Sequence, residues 1–146
     1  MRQRVHLITL GVEDLARAAA FYEALGWTRV PDAPPGIAVF DLPGASLALY
    51  PRADLERDIG RPLAPGSGSV TLACNQPDRA GVDAATEAAR AAGAAILRAP
   101  HEVFRGGYLA YVADPDGHVW EFAFNPHAPL SPEGAFRWAG HGGDDA

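Results

Sequence analysis

The sequence predicts an α+β fold in which one β-α-β-β-β pattern occurs twice within a single domain. In each half, a strand-like apolar run leads into a capped helix with one apolar stripe, and strand-like runs follow. The 146-residue chain is 48% hydrophobic, which is enough to form a buried core and excludes wholesale disorder. Both copies are therefore expected to be folded modules.

The first copy of the pattern covers about residues 4–50. Its first strand is predicted at 5–12, with Asp14 placed to cap the following helix and Gly26 placed to end it. Three strand-like runs follow, at 28–30, 37–42 and 46–50. The first module is thus expected to contain one helix and four strands.

The second copy covers about residues 69–126. Its first strand is predicted at 69–74, and Asp78 and Gly93 are placed to begin and end its helix. Three strand-like runs follow, at 94–98, 107–113 and 118–124. An Asp-Pro-Asp-Gly turn joins the last two runs, and His118 directly after it is expected to serve that turn.

Two further segments carry no strand or helix pattern. Residues 51–68 are rich in proline and glycine and are interpreted as a linker, whereas 127–146 is expected to be an irregular C-terminal tail. Since each module leaves one face of its sheet without a helix, the two sheets are expected to curve around a shared cavity.

Composition excludes several classes of function. The formal charge of −6 argues against a partner such as nucleic acid or an anionic membrane surface. All 12 basic residues are arginine, which excludes a Schiff-base lysine and a phosphate-loop lysine. Cys74 is the single cysteine, so an intramolecular disulfide is excluded. No apolar run reaches membrane-spanning length, and a cytoplasmic protein is expected.

Several short motifs resemble the vicinal oxygen chelate superfamily, which includes glyoxalase I, fosfomycin resistance proteins, bleomycin-binding proteins and extradiol dioxygenases. Leu-Gly-Val-Glu-Asp-Leu at 10–15, Ala-Phe-Tyr at 20–22 and Leu-Gly-Trp at 25–27 look like the opening of that fold. Ala-Asp-Pro-Asp-Gly-His-Val-Trp-Glu at 113–121 is similar to its most recognisable stretch. The resemblance covers about residues 5–126.

This resemblance implies a U-shaped mixed sheet around a cleft that receives a small molecule, and a homodimer. Many members hold one divalent metal in the cleft as a Lewis acid, while others bind a compound without metal. In many enzymatic members a histidine ligand stands two residues before the Thr-Leu of the first strand. Here that position is Leu7, and His6, one residue earlier, should point away because strand side chains alternate.

Glu121 is the one residue that matches a metal-ligand position of the family. One carboxylate does not hold a catalytic divalent ion against water, so no metal and no other cofactor is expected. If a metal is present, Glu121 and His6 would hold it, with a β-bulge turning His6 inward. Recruitment of His101 and Glu102 as ligands is the other route to a metal site.

The candidate site residues follow from the cleft that the resemblance implies. Glu121 is a candidate hydrogen-bond acceptor or general base, and Tyr111 stands at a position that faces the ligand in fosfomycin resistance proteins. Arg105 in a glycine-rich loop could bind an anionic ligand group or Glu121. Each of the three also has a non-functional interpretation: Glu121 as a carboxylate kept without a role, Tyr111 as a core tyrosine and Arg105 as a solvated loop arginine. The predicted ligand-binding residues are Glu121, Tyr111, Arg105, Phe104, Tyr108 and His101, with Glu121 and Tyr111 also the catalytic candidates.

Three functions remain open at this point. The first is binding of a small organic molecule, such as an antibiotic or another natural product, without the usual metal. The second is an enzyme, either metal-dependent or based on Glu121 with Tyr111 as acid, of the lyase, isomerase, thiol transferase or dioxygenase type. The third is a dimer with a vestigial cleft whose surface recruits another protein.

Overall fold

The computed structural model describes residues 3–138, which divide into two compact units. Within the described range, unit 1 comprises residues 3–69 and 114–118, and unit 2 comprises residues 70–113 and 119–138. Unit 1 contains β1 (Leu7–Val12), α1 (Leu15–Ala24), β2 (Ala38–Leu42), β3 (Ala45–Pro51) and α2 (Arg52–Ile59). Unit 2 contains β4 (Thr71–Asn75), α3 (Arg79–Ala92), β5 (Ala95–Glu102), a 3₁₀ turn (Phe104–Gly106), β6 (Tyr108–Ala113) and β7 (Val119–Phe124). The predicted α+β class is confirmed.

Unit 1 is a three-stranded sheet with α1 packed on it. The strand order is β1-β3-β2, with β1 parallel and β2 antiparallel to the central β3. The Asp14 carboxylate accepts a hydrogen bond of 2.9 Å from the Arg17 backbone N–H, which caps α1 as its sequence position predicts. The fully buried side chains of this core include Tyr22, Phe40 and Leu47.

The strand predicted at 28–30 is absent, and only an isolated bridge from Arg29 to Phe40 takes its place. The Val30 N–H still reaches the Val39 carbonyl at 2.8 Å. The next residue is Pro31, whose ring fixes φ at about −65°, whereas a regular antiparallel strand has φ of about −140°.

A helix occupies part of the segment interpreted as a linker. Residues 52–59 contain neither glycine nor proline, and Gly60 ends the helix in the left-handed conformation at φ 83°. A Cβ built on Gly11 of β1 would lie 3.4 Å from both Arg52 Cγ and Leu55 Cδ2. Since residues of a strand alternate, α2 lies on the side of β1 that carries its odd-numbered residues.

Unit 2 is a four-stranded sheet in the order β4-β7-β6-β5. β4 runs parallel to β7, and the other pairs are antiparallel. The Asp78 carboxylate caps α3 through the Gly81 N–H at 2.7 Å, and Gly93 ends the helix at φ 106°, both as predicted. The Tyr108 hydroxyl of β6 donates to Asp83 of α3 at 2.9 Å. The even-numbered residues of β6 therefore face α3, and the odd-numbered ones form what we name the helix-free face.

The described part of the tail, 127–138, contains neither helix nor strand, and residues 139–146 lie outside the described residues. None of the helices found between residues 3 and 138 combines the length and the apolar character needed to cross a lipid bilayer.

A buried carboxylate organises the turn at 114–118. Asp114 Oδ2 accepts a hydrogen bond from the Tyr22 hydroxyl at 2.7 Å and lies 2.9 Å from His118 Nδ1. Asp114 Oδ1 accepts the backbone N–H groups of Asp116 and His118 at 3.0 and 2.9 Å. Desolvation is the largest single influence and raises the Asp114 pKa, but the hydrogen bonds from His118 and Tyr22 outweigh it, so the pKa is lowered below its usual 3.8.

The Asp114→Asn variant should lose about 2–4 kcal/mol of stability, because the amide cannot accept all these hydrogen bonds. A lowered folded-state pKa gives stabilisation that is present above the unfolded value of 3.8 and lost as pH falls through the folded value. Urea denaturation at neutral and acidic pH should therefore show a shallower acid loss in the variant. Tyr22→Phe, which keeps the carboxylate but removes one of the hydrogen bonds that lower its pKa, should lose about 1–2 kcal/mol and show an acid loss between those of wild type and Asp114→Asn. Parallel pH curves for Asp114→Asn and wild type would contradict this assignment.

The Gly66→Ala variant should be strongly destabilised. Gly66 has φ +73°, and a Cβ there would lie 2.9 Å from the Gly117 carbonyl oxygen. We expect a loss of about 2–4 kcal/mol from the left-handed backbone and the clash together. Gly36→Ala is the matched control, since Gly36 has φ +86° but nothing within 4 Å of the built Cβ, and should lose about 1 kcal/mol. Equal melting temperatures for the two variants would show that the contact between a Cβ at position 66 and the Gly117 carbonyl does not affect stability.

Candidate functional site

The helix-free face of unit 2 carries two of the predicted site residues side by side. Tyr111 of β6 and Glu121 of β7 are direct partners in the antiparallel ladder, so their side chains lie on the same face. Trp120 and Phe122 flank Glu121, point to the other side and are only 7% and 6% exposed. Alternation therefore separates the residues that pack under α3 from those available to a ligand.

Tyr111 and Glu121 influence each other chemically. Hydrogen bonding to the Glu121 carboxylate is the main reason that the Tyr111 pKa is raised above 10.0, with desolvation and the negative charge of Glu121 adding to it. Both side chains are partly exposed. The phenol thus stays protonated at neutral pH and can donate a hydrogen bond, while the carboxylate can accept one.

Arg98 of β5 extends this pair into a row. It is the ladder partner of Tyr111 on the side away from Glu121, so its side chain lies on the same face, and its positive charge offsets part of the rise in the Tyr111 pKa. On β4, the partner of Glu121 is the exposed Ala73, whose small side chain leaves that end of the row open. We name Arg98, Tyr111 and Glu121 the polar row.

Sequence reasoning did not single out Arg98. The ladder between β5 and β6 shifts register between Ile96 and Arg98, and again between Arg98 and His101, so simple alternation along β5 fails. Two signals could have found it: Arg98 is the one charged residue at the end of an apolar run, and Pro100 marks an irregular strand.

His101 lies one step further along the same face, where it is the ladder partner of Leu109. Its Nδ1 lies 2.9 Å from the Ala99 carbonyl and donates to it, which leaves Nε2 as an acceptor in the neutral ring. Nε2 is buried and has no hydrogen-bond partner among the described residues. The structure thus brings His101 to the face that holds Tyr111 and Glu121.

Three other predicted site residues do not join the polar row. Tyr108 faces α3, where Asp83 accepts its hydroxyl and Arg79 lies 5.4 Å from its ring centroid. Phe104 is 89% exposed in the 3₁₀ turn. Arg105 has φ 61°, and its carbonyl accepts a hydrogen bond from His127 Nε2 at 3.0 Å. These three residues were predicted to share the site because they are close in sequence. Strand alternation turns Tyr108 towards α3, and the 3₁₀ turn holds Phe104 and Arg105 outside the polar row.

The donor set does not fit the divalent metal of the superfamily. His6 is exposed, precedes β1, and by alternation lies on the opposite side from Leu7 and Thr9. On the helix-free face, Glu121 is the one carboxylate or imidazole that β4 and β7 present. Within residues 3–138, no three His, Cys, Asp or Glu side chains are grouped to hold a metal ion. A retained divalent ion needs at least three such ligands, so no chemical step is derived through one.

Comparison with known proteins gives a family and several similar structures. The family model described as Glyoxalase/Bleomycin resistance protein/Dioxygenase superfamily matches residues 4–122. A glyoxalase-related enzyme from Fulvimarina pelagi is 38% identical with a TM-score of 0.86, over 94% of this chain and 99% of that one. No curated protein matches the sequence.

Two further structures are similar at lower identity. A glyoxalase/bleomycin resistance protein/dioxygenase from Nocardioides is 28% identical, with a TM-score of 0.70 over 85% of this chain and 84% of that one. A lactoylglutathione lyase from Agrobacterium tumefaciens is 23% identical, with a TM-score of 0.66 over 86% and 96% of the two chains, and shows the fold alone.

Charge changes in the polar row should move the Tyr111 pKa in opposite directions. Glu121→Gln should lower it towards 10.0 because the anionic acceptor is lost, whereas Arg98→Met should raise it because a nearby cation is lost. Carbon-13 NMR of labelled tyrosine during a pH titration measures each phenol, and Tyr111→Phe identifies the resonance. An unchanged Tyr111 titration in both variants would contradict the geometry of the row.

Proposed function

We propose that this chain, which belongs to the Glyoxalase/Bleomycin resistance protein/Dioxygenase superfamily, binds a small organic molecule on the helix-free face of unit 2. The observation that carries the proposal is the Tyr111–Glu121 pair, a hydrogen-bond donor beside a carboxylate on a sheet face turned away from the helix. Small-molecule sites combine a mostly apolar surface with a few such polar groups.

The surroundings of the pair support a binding role. Tyr111 offers a flat apolar ring as well as its hydroxyl, and the exposed Ala73 beside Glu121 presents only a small side chain on the same face. A planar, partly apolar compound could therefore rest on the face while its polar groups meet Tyr111 and Glu121. An antibiotic or another natural product is the ligand class that we propose.

A second candidate is an acid–base enzyme that uses the same two residues. Their adjacency favours it: Glu121 can take a proton from a bound substrate while the protonated Tyr111 donates a hydrogen bond to oxygen that gains negative charge. Returning the proton to a different atom would complete an isomerisation, and loss of a leaving group would complete a lyase reaction. The Fulvimarina pelagi structure is described as an enzyme, which supports weighing this candidate.

The expected homodimer, the cytoplasmic location and the absence of a cofactor stay predictions drawn from the resemblance and composition. Light scattering of the purified protein measures the first, and metal analysis of the protein as purified measures the last.

A thermal-shift screen against natural products, bleomycin included, should find compounds that raise the melting temperature by several degrees. A ligand at about 100 times its Kd adds about 2.7 kcal/mol to the stability of the folded state. The shift should be lost in Glu121→Gln and reduced in Tyr111→Phe, and kept in Glu87→Gln, which removes an exposed carboxylate of α3.

Binding at this site is contradicted if no compound raises the melting temperature. It is also contradicted if Glu121→Gln and Tyr111→Phe show the same ligand-induced shifts as wild type. Mass spectrometry of compounds recovered after incubation separates the two candidates. Recovery of unchanged compound supports binding alone, while conversion that is absent in Glu121→Gln supports the acid–base enzyme.

A further inference from the structure

We propose that Arg98 is the anion-binding residue of the polar row, so that the ligand carries an anionic group at one end and a cationic or hydrogen-bond-donating group at the other. This inference rests on the proposed function, since it assigns a ligand class to the same site. It adds a residue and a ligand charge pattern that the Tyr111–Glu121 pair alone does not specify.

The strand pairing places Arg98 at the site. Arg98 is the β5 ladder partner of Tyr111, so the two side chains lie on the same face, and its positive charge is felt by the Tyr111 phenol. Its side chain is exposed, so a ligand on the face can reach it. Within residues 3–138, the Arg98 guanidinium has no carboxylate partner, whereas Arg52 and Arg79 are paired with Glu13 and Glu102.

The negative charge of the whole chain gives a local positive charge at Arg98 a specific use in attracting an anion. The chain carries a formal charge of −6, so its average field repels anions. An arginine without a carboxylate partner beside a half-buried phenol provides a local positive end on such a protein. Guanidinium binds carboxylate or phosphate oxygens through two parallel N–H donors, which suits one oriented anionic group.

The other end of the row has the opposite charge. Glu121 is separated from Arg98 by two strand spacings, or about 10 Å between their backbone positions. Tyr111 stands between them, and its single O–H can turn from Glu121 to donate a hydrogen bond to an acceptor in the middle of the ligand. A small zwitterion, or an anion with a distant donor group, matches this order of charges.

Three linear probes test the two ends separately. 6-Aminohexanoate carries both charges, hexanoate carries the anion alone, and hexylamine carries the cation alone. Titrations followed by amide NMR of the full chain should show that 6-aminohexanoate binds more tightly than either single-charge probe. Arg98→Met should lower the affinity for 6-aminohexanoate and for hexanoate about tenfold. It should change the affinity for hexylamine by less than about twofold.

Glu121→Gln should instead lower the affinity for hexylamine and for 6-aminohexanoate and leave the affinity for hexanoate unchanged. Arg90→Met is the matched control, because Arg90 is an exposed arginine of α3 that pairs with Glu87. It should leave all three affinities unchanged. A wild-type-like amide spectrum confirms that each variant is folded, and Arg98→Gln replaces Arg98→Met if the latter is not.

Distinct results overturn the inference and the proposed function. Equal hexanoate affinity in wild type and Arg98→Met, with hexylamine still weakened by Glu121→Gln, overturns the role of Arg98 and leaves the Tyr111–Glu121 site standing. Failure of all three probes to bind at tens of millimolar also overturns the inference. Binding that neither Glu121→Gln nor Tyr111→Phe alters contradicts the proposed site itself.

Discussion

A buried carboxylate that accepts several hydrogen bonds is the constraint on which unit 1 depends. Asp114 is 4% exposed, and an ionised group at that depth is tolerated only where charge-stabilising partners surround it. The Tyr22 hydroxyl, the His118 ring and two backbone N–H groups provide them. Because these donors come from α1 and from the turn itself, satisfying the charge holds the turn at 114–118 against α1.

Neighbouring Asp116, whose side chain is only 3% exposed, links the same turn to the start of α1. Its Oδ1 accepts the Glu13 backbone N–H at 2.8 Å and pairs with the Arg17 guanidinium at 3.0 Å. The first turn of α1 and the Asp-Pro-Asp-Gly turn are thereby tied by backbone and side-chain bonds. The two most recognisable stretches of the sequence therefore work together within unit 1, although about 100 residues separate them along the chain.

Local rules of sequence explain most of the fold and part of the site. Asp14 and Asp78 cap their helices because a carboxylate before a helix satisfies free N–H groups, and that requirement is readable in any sequence. Alternation alone separates Glu121 from Trp120 and Phe122. The helix at 52–59 was harder to predict from the sequence. It is only eight residues long, and the prolines and glycines around it indicate a linker.

Other features depend on distant parts of the chain and could not be derived locally. The apolar stripe of α1 predicts that Tyr22 is buried, but nothing near it indicates that its hydroxyl bonds a residue 92 positions away. Arg98 was missed for a related reason, since two register shifts decide which way its side chain points. Strand parity is reliable only where the ladder is regular.

The irregularity of β5 also bears on how this scaffold could diversify. β5 is an edge strand, and register shifts separate Arg98 from the residues before and after it. A substitution there would change the charge at one end of the polar row while Tyr111 and Glu121 keep their places in the regular ladder between β6 and β7. Selection or an engineer could thus retune which ligand charge is preferred and leave the central donor–acceptor pair intact.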